Sequence, residues 1–243
     1  MTLPEACFDV QVAQERLRGD MLGSPASLRA LFLHGAGQSH RQRQRLLRED
    51  LAQRGFGSAA FDFSGHGDSS ANQPSSLQTR LLQAQHVWQH LAAAQLDTLV
   101  GTSMSGEIAI RLACNAHTHI RHLVLIVGAI YDREAFTLPF GPAFSAAIRR
   151  PHSWRAAQTL ELLATYCGGL TLVRALDDTV IPHEVADLLA QAARHARFVR
   201  RIDLVGVDHR ISDTMAQDAS LRRCIAAAIA DSAMDEGELK RLS

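Results

Sequence analysis

The sequence predicts an α/β protein whose sheet, mostly parallel and of about eight strands, is doubly wound, with helices on both faces. Three observations lead there. From Arg29 onwards, short apolar runs alternate with longer helix-like runs, the pattern of strands joined by helical crossovers. One such run, Leu99-Val100, feeds Gly101-Thr102-Ser103-Met104-Ser105-Gly106 and then a helix-like stretch, which places a serine on a tight strand-to-helix turn. The first two strand-like runs are linked by too few residues for a crossover, so they form an antiparallel pair.

Phe8 to Val12 and Glu15 to Leu22 are that pair, and polar-apolar alternation is strongest there. Arg29 to Leu33 is the first buried strand and ends at His34-Gly35-Ala36-Gly37. A helix is expected from His40 to Arg54, a strand from Ser58 to Phe63, a helix from Leu77 to Ala94, and then the strand that leads to Ser103. Ile108 and Leu112 are spaced to share one face of the helix behind the serine. His122 to Val127 is the next strand. Residues 129–168 break the alternation and read as a small cap insertion. Leu170 to Ala175 resumes the pattern, followed by a helix at His183 to His195, a strand at Phe198 to Val205 and a final helix from Asp213 to Asp231; the charged end, Asp235 to Ser243, is expected to fray. A single domain over 1–243 is expected, since 243 residues with 47% hydrophobic content can bury one sizeable core.

Charge and cysteine usage narrow the function. Lys plus Arg equals Asp plus Glu at 25 each, so no net field points to nucleic acid or an anionic membrane. No segment reaches the length of a membrane span, and Met1 to Asp9 shows no basic leader followed by an apolar run, which predicts a cytoplasmic enzyme acting on a small molecule. Cys7, Cys114, Cys167 and Cys224 form no C-x-x-C pair and read as reduced, mostly core-filling thiols. His86 and His90 have the i, i+4 spacing of metal ligands but lack an HExxH motif, so neither metal nor cofactor is expected.

Around Ser103 the tight turn demands small neighbours, because larger side chains collide with the adjacent strand. Gly101 meets that demand; two residues past the serine the pattern prefers glycine, and this chain has Ser105 with Gly106 behind it. A second serine in similar surroundings, Ser69 in Gly67-Asp68-Ser69-Ser70-Ala71, is followed by Asn72-Gln73-Pro74, which cannot start a helix at the serine. Ser69 therefore reads as a loop residue. A serine hydroxyl is a poor nucleophile at neutral pH and needs a histidine base oriented by a carboxylate. Downstream, a strand runs into an acidic turn at Asp177 and Asp178, another into Asp208-His209, and Asp132 stands just beyond an earlier strand.

The set His34-Gly35-Ala36-Gly37, Phe61-Asp62-Phe63-Ser64-Gly65-His66-Gly67-Asp68-Ser69, the turn at Ser103, Asp178-Thr179-Val180-Ile181-Pro182 and Asp208-His209 resembles the α/β-hydrolase superfamily, close in pattern to small esterases of the feruloyl-esterase and acylglycerol-lipase type. The resemblance covers nearly the whole chain. It implies a triad of Ser103, His209 and Asp178, the last favoured over Asp177 and Asp132 by the family's acid-x-x-apolar-Pro spacing. It also implies an oxyanion hole from the N–H groups of Ala36 and Met104, with His34 shaping the oxyanion loop and His66 its neighbouring turn. The reaction implied is hydrolysis of a carboxylic ester or thioester through an acyl-enzyme. A non-catalytic ligand-sensing or scaffold protein, a carbon–carbon hydrolase and an acyltransferase share the fold.

Scarce aromatics gather in the cap, where Phe136, Phe140, Phe144 and Trp154 are expected either to roof an acyl or aryl pocket or to pack the cap onto the sheet; Met104 is expected to line the same cavity. Arg41, Arg45 and Arg48 share one helical face, and Arg149, Arg150 and Arg155 add charge in the cap. A solvated face is the expectation, with recognition of an anionic thioester as the alternative. His117, His119 and His122 are expected to be solvated in a loop.

Overall fold

Alternation at the N-terminus decides where the sheet begins. In the computed structural model, which describes residues 3–92, 94–115 and 118–233, β1 (Glu5–Val12) and β2 (Glu15–Leu22) form an antiparallel hairpin closed at Val12 and Glu15. Phe8, Val10 and Val12 turn inward while their neighbours face solvent, so a one-residue slip would expose all three. The remaining strands are β3 (Leu28–Leu33), β4 (Gly57–Phe61), β5 (Thr98–Thr102), β6 (His122–Ile126), β7 (Gly169–Ala175) and β8 (Phe198–Leu204). They form one eight-stranded sheet in the order β1-β2-β4-β3-β5-β6-β7-β8. β2 runs antiparallel to β4, and all pairs from β4 onward are parallel.

The helices are α1 (Arg45–Gln53), α2 (Leu77–His90), α3 (Ser105–Ala113), α4 (Pro142–Ile148), α5 (Gln158–Leu163), α6 (His183–Ala192), α7 (Ile211–Gln217) and α8 (Ala219–Ala233), of which α1, α2, α3, α6 and α8 pack on the sheet. The strand period of two divides the core into layers. On β3, Ala30 and Phe32 join Leu47, Leu51 and Ile225 under α1 and α8, whereas Leu31 and Leu33 join Ala84, Val87 and Ile108 under α2 and α3. Both faces are therefore buried, as the expected doubly wound sheet requires.

Several expectations need correction. The helix expected from His40 begins as a 3-10 turn over Arg41–Gln44 before α1. The final helix is broken at Asp218, whose Oδ1 accepts from the N–H groups of Ser220 and Leu221 and caps α8. Cys7, Cys167 and Cys224 are exposed rather than core-filling. His119 is exposed, but His122 is buried on β6, where its Nε2 shares a hydrogen bond with Thr171 Oγ1 at 2.8 Å and burial lowers its pKa to about 3. His117 and the tail from Asp235 to Ser243 lie outside the described residues.

The arginine face is the largest correction. Arg41 and Arg48 share a face as the helical spacing predicts, but it turns inward onto acids far away in the sequence. Arg48, with its side chain 1% exposed, pairs with Asp20 Oδ1 at 2.6 Å and donates to the carbonyls of Asp20 and Ser58. Arg41 donates to Asp20 and Asp68 at 2.7 Å each and also pairs with Asp62. Arg45 alone of the three faces outward, bound by Glu5 and Glu49. Removing one partner of such a buried set strands the others. Asp20→Ala is expected to cost about 3–5 kcal/mol in urea unfolding, against less than about 1 kcal/mol for Arg45→Ala.

Candidate active site

Ser103 follows directly on β5 and holds φ at 52°, a left-handed conformation that costs a non-glycine residue about 1–3 kcal/mol. Close packing enforces it. A Cβ on Gly101 would lie 2.5 Å from the Ser105 carbonyl oxygen, and one on Gly106 would lie 2.7 Å from that of Ala129, so α3 sits against β5 and against the loop after β6 at distances that exclude a side chain at either glycine. The Ser103 N–H donates to Ile126, while its carbonyl accepts from Gly106 and Ala129. With both main-chain groups engaged, the side chain is presented at the C-terminal end of the parallel strands.

There, Ser103 Oγ lies 3.0 Å from His209 Nε2, and His209 Nδ1 lies 2.8 Å from Asp178 Oδ2. The carboxylate accepts a hydrogen bond from Nδ1–H, which leaves the Nε2 lone pair facing the serine hydroxyl. Asp178 Oδ1 accepts from the N–H groups of Val180 and Ile181 at 2.7 and 2.9 Å. Burial works against the charge on Asp178, but the hydrogen bonds from His209, Ile181 and Val180 outweigh it and hold the carboxyl below the usual carboxylate range. Neither rival acid reaches the histidine. Asp177 is exposed, and its N–H ties the acid loop to the Val207 carbonyl, while Asp132 caps a 3-10 turn in the cap. Ser69 is structural, donating to the Asp62 carbonyl and accepting from the Arg18 N–H.

The loop after β3 closes over the serine. A Cβ on Gly35 would come within 3.3 Å of Ser103 Cβ, and Ala36 lines the same cleft as Ser103 and His209. Among the described residues, the N–H groups of Ala36 and Met104 have no protein acceptor. Sequence reasoning treated Ser105 as a tolerated departure from glycine; in fact its hydroxyl donates to the His34 carbonyl at 2.5 Å and ties the serine turn to this loop. It also missed Glu107, buried on α3, which pairs with Arg111 and accepts from the Tyr131 N–H and the Thr159 hydroxyl, anchoring the cap. Its i, i+4 spacing from Arg111 within an apolar helix was the available signal.

The open cleft at Ser103 measures about 310 Å3 and has a mixed lining, in which Gln38, Ser39, Arg43 and Asp213 stand beside Ala36 and Ile211. None of the four cap aromatics lines it. Phe144 is buried against Tyr131 and Phe140, Phe136 lies under the Arg111 guanidinium at 3.8 Å, and Trp154 donates to Glu184 at 3.0 Å. They pack the cap onto the core, and the Met104 side chain is likewise buried in that core. Of the arginine run, it is Arg43 that reaches the cleft, where it and Arg210 share Asp213.

The sheet order and the serine turn define an α/β-hydrolase. The family model described as serine aminopeptidase, S33, matches residues 26–167, and the chain belongs to that hydrolase family. The match includes the serine turn and ends before Asp178 and His209. No curated protein sequence matches the chain. Among solved structures, a thioesterase domain from the curacin biosynthetic pathway is 21% identical with a TM-score of 0.69, the alignment covering 91% of this chain and 99% of that one. A monoacylglycerol lipase from Paleococcus ferrophilus is 19% identical with a TM-score of 0.67, covering 96% and 100%. An esterase from Pyrococcus furiosus is 17% identical with a TM-score of 0.69, covering 93% and 91%. These similarities establish the fold. Among the described residues, no helix is long and apolar enough to cross a membrane.

The geometry fixes a tautomer that is directly observable. Nitrogen-15 NMR of His209 in the neutral imidazole form is expected to show a protonated Nδ1 and a bare Nε2. Asp178→Ala is expected to abolish that preference.

Proposed function

We propose that this chain hydrolyses a carboxylic ester or thioester of a small molecule, with Ser103 as nucleophile, His209 as general base and acid, and Asp178 as the residue that orients His209. The observation that carries this reading is the continuous relay from Ser103 Oγ through His209 to Asp178, at 3.0 and 2.8 Å, mounted on a strained turn beside two unengaged main-chain donors.

Each step follows from those positions. Ser103 Oγ bonds to the substrate carbonyl carbon as its proton passes to His209 Nε2, and the carbonyl electron pair moves onto oxygen. The N–H groups of Ala36 and Met104 are the donors for that oxyanion; loss of one such donor elsewhere costs about 100- to 1,000-fold in kcat. The tetrahedral species then collapses, the C–O or C–S bond to the leaving group breaks, and the imidazolium returns its proton to that group. Water attacks the acyl-enzyme with His209 again taking a proton, and the second collapse releases the carboxylic acid and regenerates Ser103. Throughout, Asp178 stays ionised and stabilises the imidazolium.

The modest volume of the cleft supports a short acyl group over a long alkyl chain. Thioesterase, lipase and esterase relatives of the same fold support acyl transfer to water, and the family's name keeps an aminoacyl amide in the test set.

A fluorophosphonate is expected to label the wild-type protein and not Ser103→Ala. With p-nitrophenyl acetate, kcat is expected to fall at least about 10^4-fold in Ser103→Ala and about 10^4-fold in Asp178→Asn, where histidine is left in the wrong tautomer. In kcat/KM, acetate and butyrate esters should exceed the dodecanoate. Labelling without turnover of any ester, thioester or aminoacyl anilide would mark the chain as a ligand-sensing member of the fold.

A further inference from the structure

Arg80, on α2, is 2% exposed. Its Nη1 donates to the Gly35 carbonyl at 3.2 Å and its Nη2 to His66 Nε2 at 2.6 Å, and the guanidinium lies between the rings of Phe63 and Phe140 at 4.8 and 5.1 Å. Among the described residues no carboxylate pairs with it, and its Nε–H has no partner. A buried cation without a counter-ion is expensive, so its retention needs a reason. Desolvation lowers its pKa to about 10, and it remains charged at neutral pH.

We propose that Arg80 is a positioning residue for the oxyanion hole, acting with His66 as a two-point clamp on the loop that carries Ala36; this rests on the hydrolase reading given above. Three of the loop's carbonyls are taken by side chains, and that of Ala36 accepts from the Ser39 N–H. His34 is held by the Ser105 hydroxyl, Gly35 by both Arg80 and its neighbour's His34 Nδ1, and Ser39 by His66 Nδ1. Because the Gly35–Ala36 peptide is trans, fixing its carbonyl towards Arg80 fixes the Ala36 N–H in the opposite direction. Ala36 and Ser103 line the same cleft, so that N–H is presented beside the nucleophile. A charged donor on the carbonyl also polarises the amide and strengthens the N–H as a donor to an anion. The effect belongs to the oxyanion rather than to the ground-state ester, so it appears in kcat.

The test compares Arg80→Met, which keeps bulk and removes the cation, with Arg80→Lys, which restores it. Active sites are counted by fluorophosphonate titration, turnover of p-nitrophenyl acetate is expressed per titrated site, and the Ki of phenylboronic acid, whose adduct carries an anionic oxygen, is measured beside it. Arg80→Met is expected to lower kcat per site on the order of 10- to 100-fold, short of the full loss of an oxyanion donor, with KM within twofold. The boronate Ki should rise in proportion, and Arg80→Lys should recover most of the loss. A purely structural role would reduce the number of titratable sites and leave each survivor at wild-type kcat, and that result overturns the proposal. Should Arg80→Met not fold, the half-buried His66 carries the test through His66→Ala, for which a several-fold fall in kcat per site is expected and an unchanged kcat overturns the clamp. If the wild-type protein itself neither labels nor turns over, the hydrolase reading has failed; if it does both and Arg80→Met matches it, the clamp alone has failed.

Discussion

The close approach of α3 to Gly101 on β5, and of the loop after β6 to Gly106 on α3, is the constraint from which the site follows. With no Cβ tolerated at either position, the chain leaves β5 through a single left-handed residue, and that residue is Ser103 at φ 52°. A matching strain lies across the contact. Val127, just after β6, holds φ at 43°, which is rarer still for a β-branched residue, and the turn it opens lays Gly128 and Ala129 against Gly106. The Ala129 N–H then closes on the Ser103 carbonyl. Two strained residues hold each other because the strands leading into them are buried on both faces and cannot relax outward.

Charge extends the same rigidity to the loop after β3. Asp62, directly after β4, binds Arg41 and accepts from the Asp68 N–H, and a Cβ on Gly67 would lie 2.0 Å from its carboxylate. The hairpin acid Asp20 and the turn acid Asp62 therefore meet on one arginine, so the N-terminal edge of the sheet and the turn carrying His66 are one braced unit. His66 passes that bracing to Ser39, Arg80 to Gly35 and Ser105 to His34. With the loop held at these carbonyls, the Ala36 N–H has no protein acceptor among the described residues.

Much of this was legible in the sequence where the signal was local. The succession of strands and helices, the turn at Ser103 and the loop ends carrying His209 and Asp178 follow from short-range pattern, because a βα unit announces itself within about thirty residues. Partner choice across the sheet was not legible. Arg41 and Arg48 share a helical face whether that face meets water or Asp20, and no local feature distinguishes the two. The cap aromatics left two readings open for a related reason: apolar side chains gathered in one segment demand burial, but the sequence does not say whether a ligand or Tyr131 and Arg111 supply it. The break at Asp218 and the bond from Ser105 were visible as residue types with known capping or donor chemistry, yet their acceptors and donors depend on tertiary placement.

The central claim is that the strained serine turn and the braced loop together place one reactive oxygen among a base and two main-chain donors. A crystal structure of the diethylphosphoryl adduct tests it most directly. The account predicts phosphorus bonded to Ser103 Oγ, with its non-bridging oxygen about 2.7–3.1 Å from the nitrogens of both Ala36 and Met104. An adduct on another residue, or a phosphoryl oxygen turned to solvent away from both amides, would contradict it.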